Sequence, residues 1–212
     1  MIYHVLSKSI AGFTILNNEH EMKRLLNTLL YYSIAKIKQC FSTFYAGLVI
    51  HDKAIQNEIL NLQQEKGTLV NVLAYCLMPT HFHAVLETDE YKKIPKSMGN
   101  VLNSYSRFFN ILHGRKGPLW EGRFSKIIVS SDEQLLHLTR YIHLNPVTAY
   151  LCDKPEKWQF SSYKEYILPT EINPICSFRH VLDISAKTYK KFVESRINYQ
   201  RELAKIKKLT LE

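Results

Sequence analysis

Two histidines two residues apart, His81 and His83, sit inside an apolar run from Val70 to Leu86. In an extended strand successive side chains alternate between faces, so both imidazoles project from one face while Phe82 points into the opposite layer. At a rise of about 3.3 Å per residue the rings start roughly 6.6 Å apart, a spacing from which both can converge on one metal ion. Far downstream, Tyr141 and Asn145 stand at i and i+4 of a helical segment and share a face, with His137 one turn earlier. Two imidazoles, a carboxamide and a phenol are the parts of a metal-assisted transesterification. A divalent ion on a non-bridging phosphate oxygen stabilises the charge that develops during in-line attack. A tyrosine of reference pKa ~10 becomes a nucleophile once a base or nearby positive charge favours its phenolate.

The same residues have plainer uses. Half-exposed histidines on a polar sheet face, an amphipathic tyrosine at a helix edge, and an asparagine ending a helix before Pro146 require no ion. Tyr105 falls on the apolar stripe of its helix and reads as core. Glu87 lies further along the strand face of His81 and His83 and is a reserve ligand or outer carboxylate. His137 reads as part of a solvated face or as a DNA contact. Imidazole pairs alone suit zinc, iron or nickel better than magnesium, which prefers oxygen ligands.

Around these residues the periodicity predicts a strand over Tyr3–Ser9 and a helix on Met22, Leu25, Leu26, Leu29 and Leu30. Two strands follow, Val70–Met78 and His81–Thr88, joined at Pro79-Thr80. A helix after Pro95 carries Met98, Val101, Leu102, Tyr105, Phe108, Phe109 and Leu112 at 3–4 spacing. Phe124–Val129 reads as a strand, and Ser130 or Ser131 caps a helix that Pro146 should end. Phe160–Tyr166 reads as a short helix and Lys187–Lys208 as a basic amphipathic one. This order, one strand, helix, two strands, helix, one strand, predicts an α+β fold. It is a ferredoxin-like split βαβ antiparallel sheet with helices on one face and the other open, plus a C-terminal helical extension. Residues 1–166 form the expected domain, with an elaboration near 40–67, and 167–212 the extension.

With 46% hydrophobic residues in 212, the chain can bury a full core. An excess of 28 Lys+Arg over 19 Asp+Glu gives a net charge of +9, which favours polyanionic partners. No apolar run approaches a membrane span, so a cytoplasmic protein, nucleoid-associated through DNA, is expected. Cys40, Cys76, Cys152 and Cys176 are scattered without a Cys-x-x-Cys pair and read as reduced thiols. Arg107, Arg115, Lys116, Arg123, Lys126 and Arg140 cluster in sequence around the candidate site and are the expected DNA contacts. Trp120 either stacks on an unpaired base, worth about 1 to 3 kcal/mol, or anchors its loop from beneath.

Several blocks, taken in order, resemble one family. They are Tyr3-His4-Val5 with Ser7, Ala74 through His83, Gly117-Pro118-Leu119-Trp120-Glu121-Gly122-Arg123-Phe124, Arg140-Tyr141-Ile142-His143-Leu144-Asn145-Pro146-Val147, and Trp158 with Ser161-Ser162-Tyr163. They are similar to the signature blocks of the REP-associated tyrosine transposases, within the HUH single-tyrosine transposases. The resemblance implies an enzyme that binds hairpin-forming single-stranded DNA, cuts it through a covalent 5′-phosphotyrosine and rejoins strands. It implies Tyr141 as nucleophile and His81, His83 and Asn145 as ligands of Mg2+ or Mn2+. The family usually has Asn at Thr80 and Val at Phe82, and neither change removes a ligand. Related enzymes include monomers and homodimers, and both remain open for this chain. The competing readings are a non-catalytic or domesticated single-stranded nucleic-acid-binding module on the same fold, and a hydrolase that activates water at the histidine pair.

Overall fold

The computed structural model describes residues 1–48, 52–168 and 174–210. Along the chain run β1 (Ile2–Lys8), α1 (Glu19–Tyr31), α2 (Phe41–Gly47), α3 (Asp52–Lys66), β2 (Asn71–Met78), β3 (His81–Glu87), α4 (Lys93–Leu112) and β4 (Ser125–Val129). Then follow α5 (Asp132–Thr148), α6 (Tyr163–Ile167), α7 (Ala186–Glu194) and α8 (Ile197–Thr210). The strands form one antiparallel sheet in the order β2-β3-β1-β4, the arrangement that the split βαβ order requires. The elaboration between α1 and β2 resolves into an aromatic helix, α2, and a polar one, α3.

β3 is central. Its register sets Leu6 and Cys76 on either side of His83, and Ser7 and Leu77 on either side of Phe82. Because the strand period is two, His81 and His83 share a face with Leu6, Lys8 and Cys76, while Phe82 joins Val5 and Leu77 on the other. The Phe82 face carries α1 and α4. Phe82 meets Trp120 edge-on at 5.8 Å, Trp120 lies 6.0 Å from Tyr105 of α4, and the Tyr105 hydroxyl donates to the Ile15 carbonyl at 2.6 Å. Asn18 caps α1 by accepting from the Glu21 amide at 3.0 Å. The buried Glu21 carboxylate in turn receives Asn17 N–H at 2.6 Å and lies 2.7 Å from His113 Nε2, which ties α1 to the end of α4.

The histidine face is not left open along its length. α5 lies over β2 on that side, with α6 behind it, so helices occupy part of the second face as well. Ser131 is the N-cap of α5, its hydroxyl accepting from Gln134 N–H at 3.1 Å, with Asp132 and Glu133 in the first turn where the helix dipole favours acids. Pro146 does not end this helix, which continues to Thr148. Proline removes one backbone bond but its φ is helical, and the Ala149 N–H still reaches the Asn145 carbonyl at 2.9 Å. Asn145 is therefore inside the helix, one turn beyond Tyr141.

The basic tail is two helices, broken at Ser195-Arg196. The break allows Tyr189 and Val193 of α7 to enter the same core as the sheet, together with Phe178 and Leu182. Tyr166 stacks on Phe178 at 3.6 Å. In α8, Arg201 donates to the carbonyls of Val147 and Cys152 at 3.2 Å each, which fastens it to the end of α5.

Candidate active site

The face parity of β3 delivers both imidazoles to one place. The rings of His81 and His83 meet edge to face with centroids 5.2 Å apart, and the Tyr141 ring meets His83 edge to face at 5.7 Å. His83 is buried, His81 half-buried, and Tyr141 is 44% exposed at the rim. Burial lowers both histidines, His81 to about 4 and His83 to about 3, and the Lys8 ammonium beside them pushes the same way. Near neutral pH both are therefore uncharged, the form that binds metals.

Each imidazole has its Nδ1 engaged. Thr80 Oγ1 is 3.0 Å from His81 Nδ1, and His4 Nε2 is 2.9 Å from His83 Nδ1. Metal-binding histidines are commonly held this way, through the ring nitrogen that does not face the ion. On α5, Asn145 Nδ2 is buried with no hydrogen-bond partner among the described residues. An Asn amide turned half a revolution offers oxygen in place of nitrogen, so this unsatisfied position suits a cation. Two neutral imidazoles with Nε2 uncommitted, and an amide one helical turn from Tyr141 whose Nδ2 has no partner among the described residues, are donors of a kind that suits a divalent ion. Among the described residues no group of three or more His, Cys, Asp or Glu side chains gathers around one point.

Glu87 does not serve as a reserve ligand. It is opposite Ile2, at the far end of β3 from His81, and its carboxylate accepts from Asn71 Nδ2 at 3.0 Å and lies 2.9 Å from His180 Nε2. Sharing a face is not sharing a site. Two residues with no predicted role do belong here. His4 follows the β1 alternation onto the histidine face, and Lys8 pairs directly across from His81. Alternation between Tyr3 and Val5 marked His4 as outward, but only the β1–β3 register reveals what it meets.

Burial also raises the Tyr141 phenol above its ordinary value. Among the described residues its only ring neighbour is the neutral His83, so near neutral pH the phenol keeps its proton. What holds it in place is the opposite side of α5. His143 is fully buried, with Nδ1 2.7 Å from the Tyr189 hydroxyl and Nε2 2.8 Å from Ser162 Oγ. Ser162 Oγ also accepts from Tyr75 N–H of β2 at 2.9 Å. One assignment satisfies every group: Tyr189 O–H donates to Nδ1, Nε2–H donates to Ser162, and Ser162 donates to the Tyr75 carbonyl at 3.2 Å. Burial pulls this histidine down to about 3.

The basic residues scatter. Arg123 lines a cavity of about 440 Å3 with Leu6, Lys8, Glu121 and Ser125, next to the histidine face. Lys116 is exposed in the loop before Leu119. Arg107 lines a different cavity, about 510 Å3, with Arg24 between α1, α2 and α4 on the opposite face. Lys126 is 3.5 Å over the Tyr91 ring, on the Val5 side of the sheet. Arg115 braces its own loop through Asn110 Oδ1 at 3.0 Å and the Pro118 carbonyl at 3.2 Å. Arg140 lies over Phe192 of α7 at 4.2 Å and 2.9 Å from His137 Nδ1.

Trp120 is the anchor and not a stacking platform. It is 9% exposed, and its Nε1–H donates to the Leu102 carbonyl at 3.2 Å. Trp120→Phe is expected to cost about 1 to 3 kcal/mol in urea unfolding through the lost hydrogen bond and lost volume. Single-stranded DNA affinity of the folded variant should stay within about twofold, where loss of a stacked base would cost roughly tenfold or more.

Comparison with known proteins adds a family to this geometry. No curated protein sequence matches the chain significantly. Solved structures similar to it include a REP-associated tyrosine transposase bound to a REP hairpin, at 15% identity and TM-score 0.49 over 87% of this chain and 89% of that one, and a putative transposase from Deinococcus radiodurans, at 15% identity and TM-score 0.34 over 67% and 88%. The sequence model of the IS200-like transposases matches residues 32–145, more than half of the chain, a span that includes His81, His83, Tyr141 and Asn145. The chain belongs to the IS200-like transposase family.

Proposed function

We propose that this transposase-family protein cuts and rejoins hairpin-forming single-stranded DNA through a covalent 5′-phosphotyrosine on Tyr141. The observation that carries the reading is the meeting of the Tyr141 ring with the His81–His83 pair, brought together from α5 and β3. His81, His83 and Asn145 would hold Mg2+ or Mn2+, which when bound polarises the scissile phosphate and favours the phenolate. Tyr141 Oη then forms a bond to phosphorus in line with the bond to the departing 3′ oxygen. The phenolic proton leaves to solvent, and the 3′ oxygen takes one up and is released as a hydroxyl. Attack by a 3′-hydroxyl on the phosphotyrosine reverses these steps and joins strands. Lys8 and Arg123 line the adjoining cavity, where their charges would hold the flanking phosphates and make binding salt-dependent.

The test is incubation of end-labelled hairpin DNA with the protein and Mn2+, followed by denaturing electrophoresis. A labelled protein adduct that disappears with chelator is the expected result. Cleavage without an adduct would assign the site to a water-using hydrolase. Binding indifferent to chelator, with no cleavage across a palindromic library, would leave a non-catalytic DNA-binding module.

A further inference from the structure

The contact between His4 and His83 is more specific than ring packing. Their planes are 11° apart and their centroids 5.2 Å, while His4 Nε2 and His83 Nδ1 are 2.9 Å apart. That centroid separation equals the N···N distance plus one ring radius on each side. Centroids and nitrogens are therefore collinear, and the rings lie end to end in nearly one plane instead of face to face. This is the geometry of a straight N–H···N hydrogen bond, in which one ring donates and the other accepts.

Which ring donates follows from what each leaves behind. His83 is 3% exposed, and its Nε2 has no hydrogen-bond partner among the described residues. If His4 donated, the His83 proton would sit on Nε2, and that nitrogen would have no lone pair to offer an ion. If His83 donates from Nδ1, its Nε2 keeps a lone pair and needs no acceptor, and the shallower His4 carries its own proton on Nδ1. We infer that His4 is a positioning residue of the site: it accepts the Nδ1 proton of His83, fixing the tautomer and ring orientation in which Nε2 is the free ligand nitrogen. The existence of the hydrogen bond rests on the geometry alone, and its direction and consequence rest on the proposed metal reading. It also gives His4 a role without placing it in contact with substrate or ion.

The first measurement uses the wild-type protein without metal. Long-range 1H–15N correlation of the imidazoles should show His83 protonated on Nδ1 and bare at Nε2; a proton on Nε2 overturns the inference whatever the metal does. The second compares His4→Phe, which keeps a ring but loses the acceptor, with His4→Gln, which restores an acceptor on a flexible chain. Titration with Mn2+ alone should show His4→Phe weakened by about 10- to 100-fold and His4→Gln substantially recovered, the range seen when an outer partner of a metal-binding histidine is removed. Equal Mn2+ affinity in wild type and His4→Phe overturns the inference. If the wild type binds no Mn2+ that His83→Ala abolishes, the metal reading fails instead, and the tautomer measurement still decides the role of His4.

Discussion

Tyr141→Phe is expected to abolish the covalent protein–DNA adduct and to lower strand cleavage by roughly 10^4-fold or more, as loss of a nucleophile does. Hairpin affinity should change by less than about twofold. The separation is clean because the phenol makes no hydrogen bond among the described residues and the ring is 44% exposed. Removing one oxygen there should shift stability by no more than about 0.5 kcal/mol. The raised phenol adds a second signature. Because burial disfavours the phenolate, the reactive fraction grows with pH across the whole neutral and mildly alkaline range. A bound ion would favour the phenolate against that burial, so single-turnover adduct formation should climb with pH, by up to tenfold per unit, until the metal-bound phenol ionises. A rate that does not rise with pH at all would point to a different nucleophile or base.

His143→Ala is the change expected to damage the fold most. It leaves the Tyr189 hydroxyl and Ser162 Oγ buried without their partner and opens a cavity between α5, α6 and α7. The two losses together amount to about 3 to 5 kcal/mol, or roughly 10 °C in melting temperature for a chain of this size. The sign of the pH dependence follows from its depressed pKa. The unfolded chain takes up a proton near pH 6.5, whereas folded His143 resists until about 3, so its contribution is intact above pH 6.5 and is lost as pH falls between those values. His81 and His83 act in the same direction, down to about 4 and 3. Wild-type stability should therefore drop on acidification by about 1.4 kcal/mol per pH unit for each histidine, and His143→Ala should show a shallower slope by that amount. Urea midpoints at pH 7, 6 and 5 measure both.

Much of the site was legible because it obeys local periodicities. Strand alternation put His81 and His83 on one face, and the helical repeat put Tyr141 and Asn145 on another. What failed needed distance or register. Glu87 has the right parity but stands four residues beyond His83, about 13 Å along the strand. Arg107 is near the site in sequence, yet the rotation of α4 turns it toward Arg24 on the opposite side of the sheet. Pro146 read as a stop signal, but tertiary packing of α5 on β2 outweighs one missing backbone bond. His4 was hidden for the same reason that it matters, since its partner is chosen by a pairing between residues 79 positions apart.

The Tyr189–His143–Ser162 network has a consequence for the order of events during synthesis. The ribosome makes α5 first and the tyrosine that braces it from behind some forty residues later, a delay of about 2 to 8 s at ordinary elongation rates. Until Tyr189 docks, His143 lacks one of its two partners and α5 is held to β2 through Ser162 without the brace of α7. A growing chain therefore carries Tyr141 in an unfinished mount until α7 has folded back onto α5.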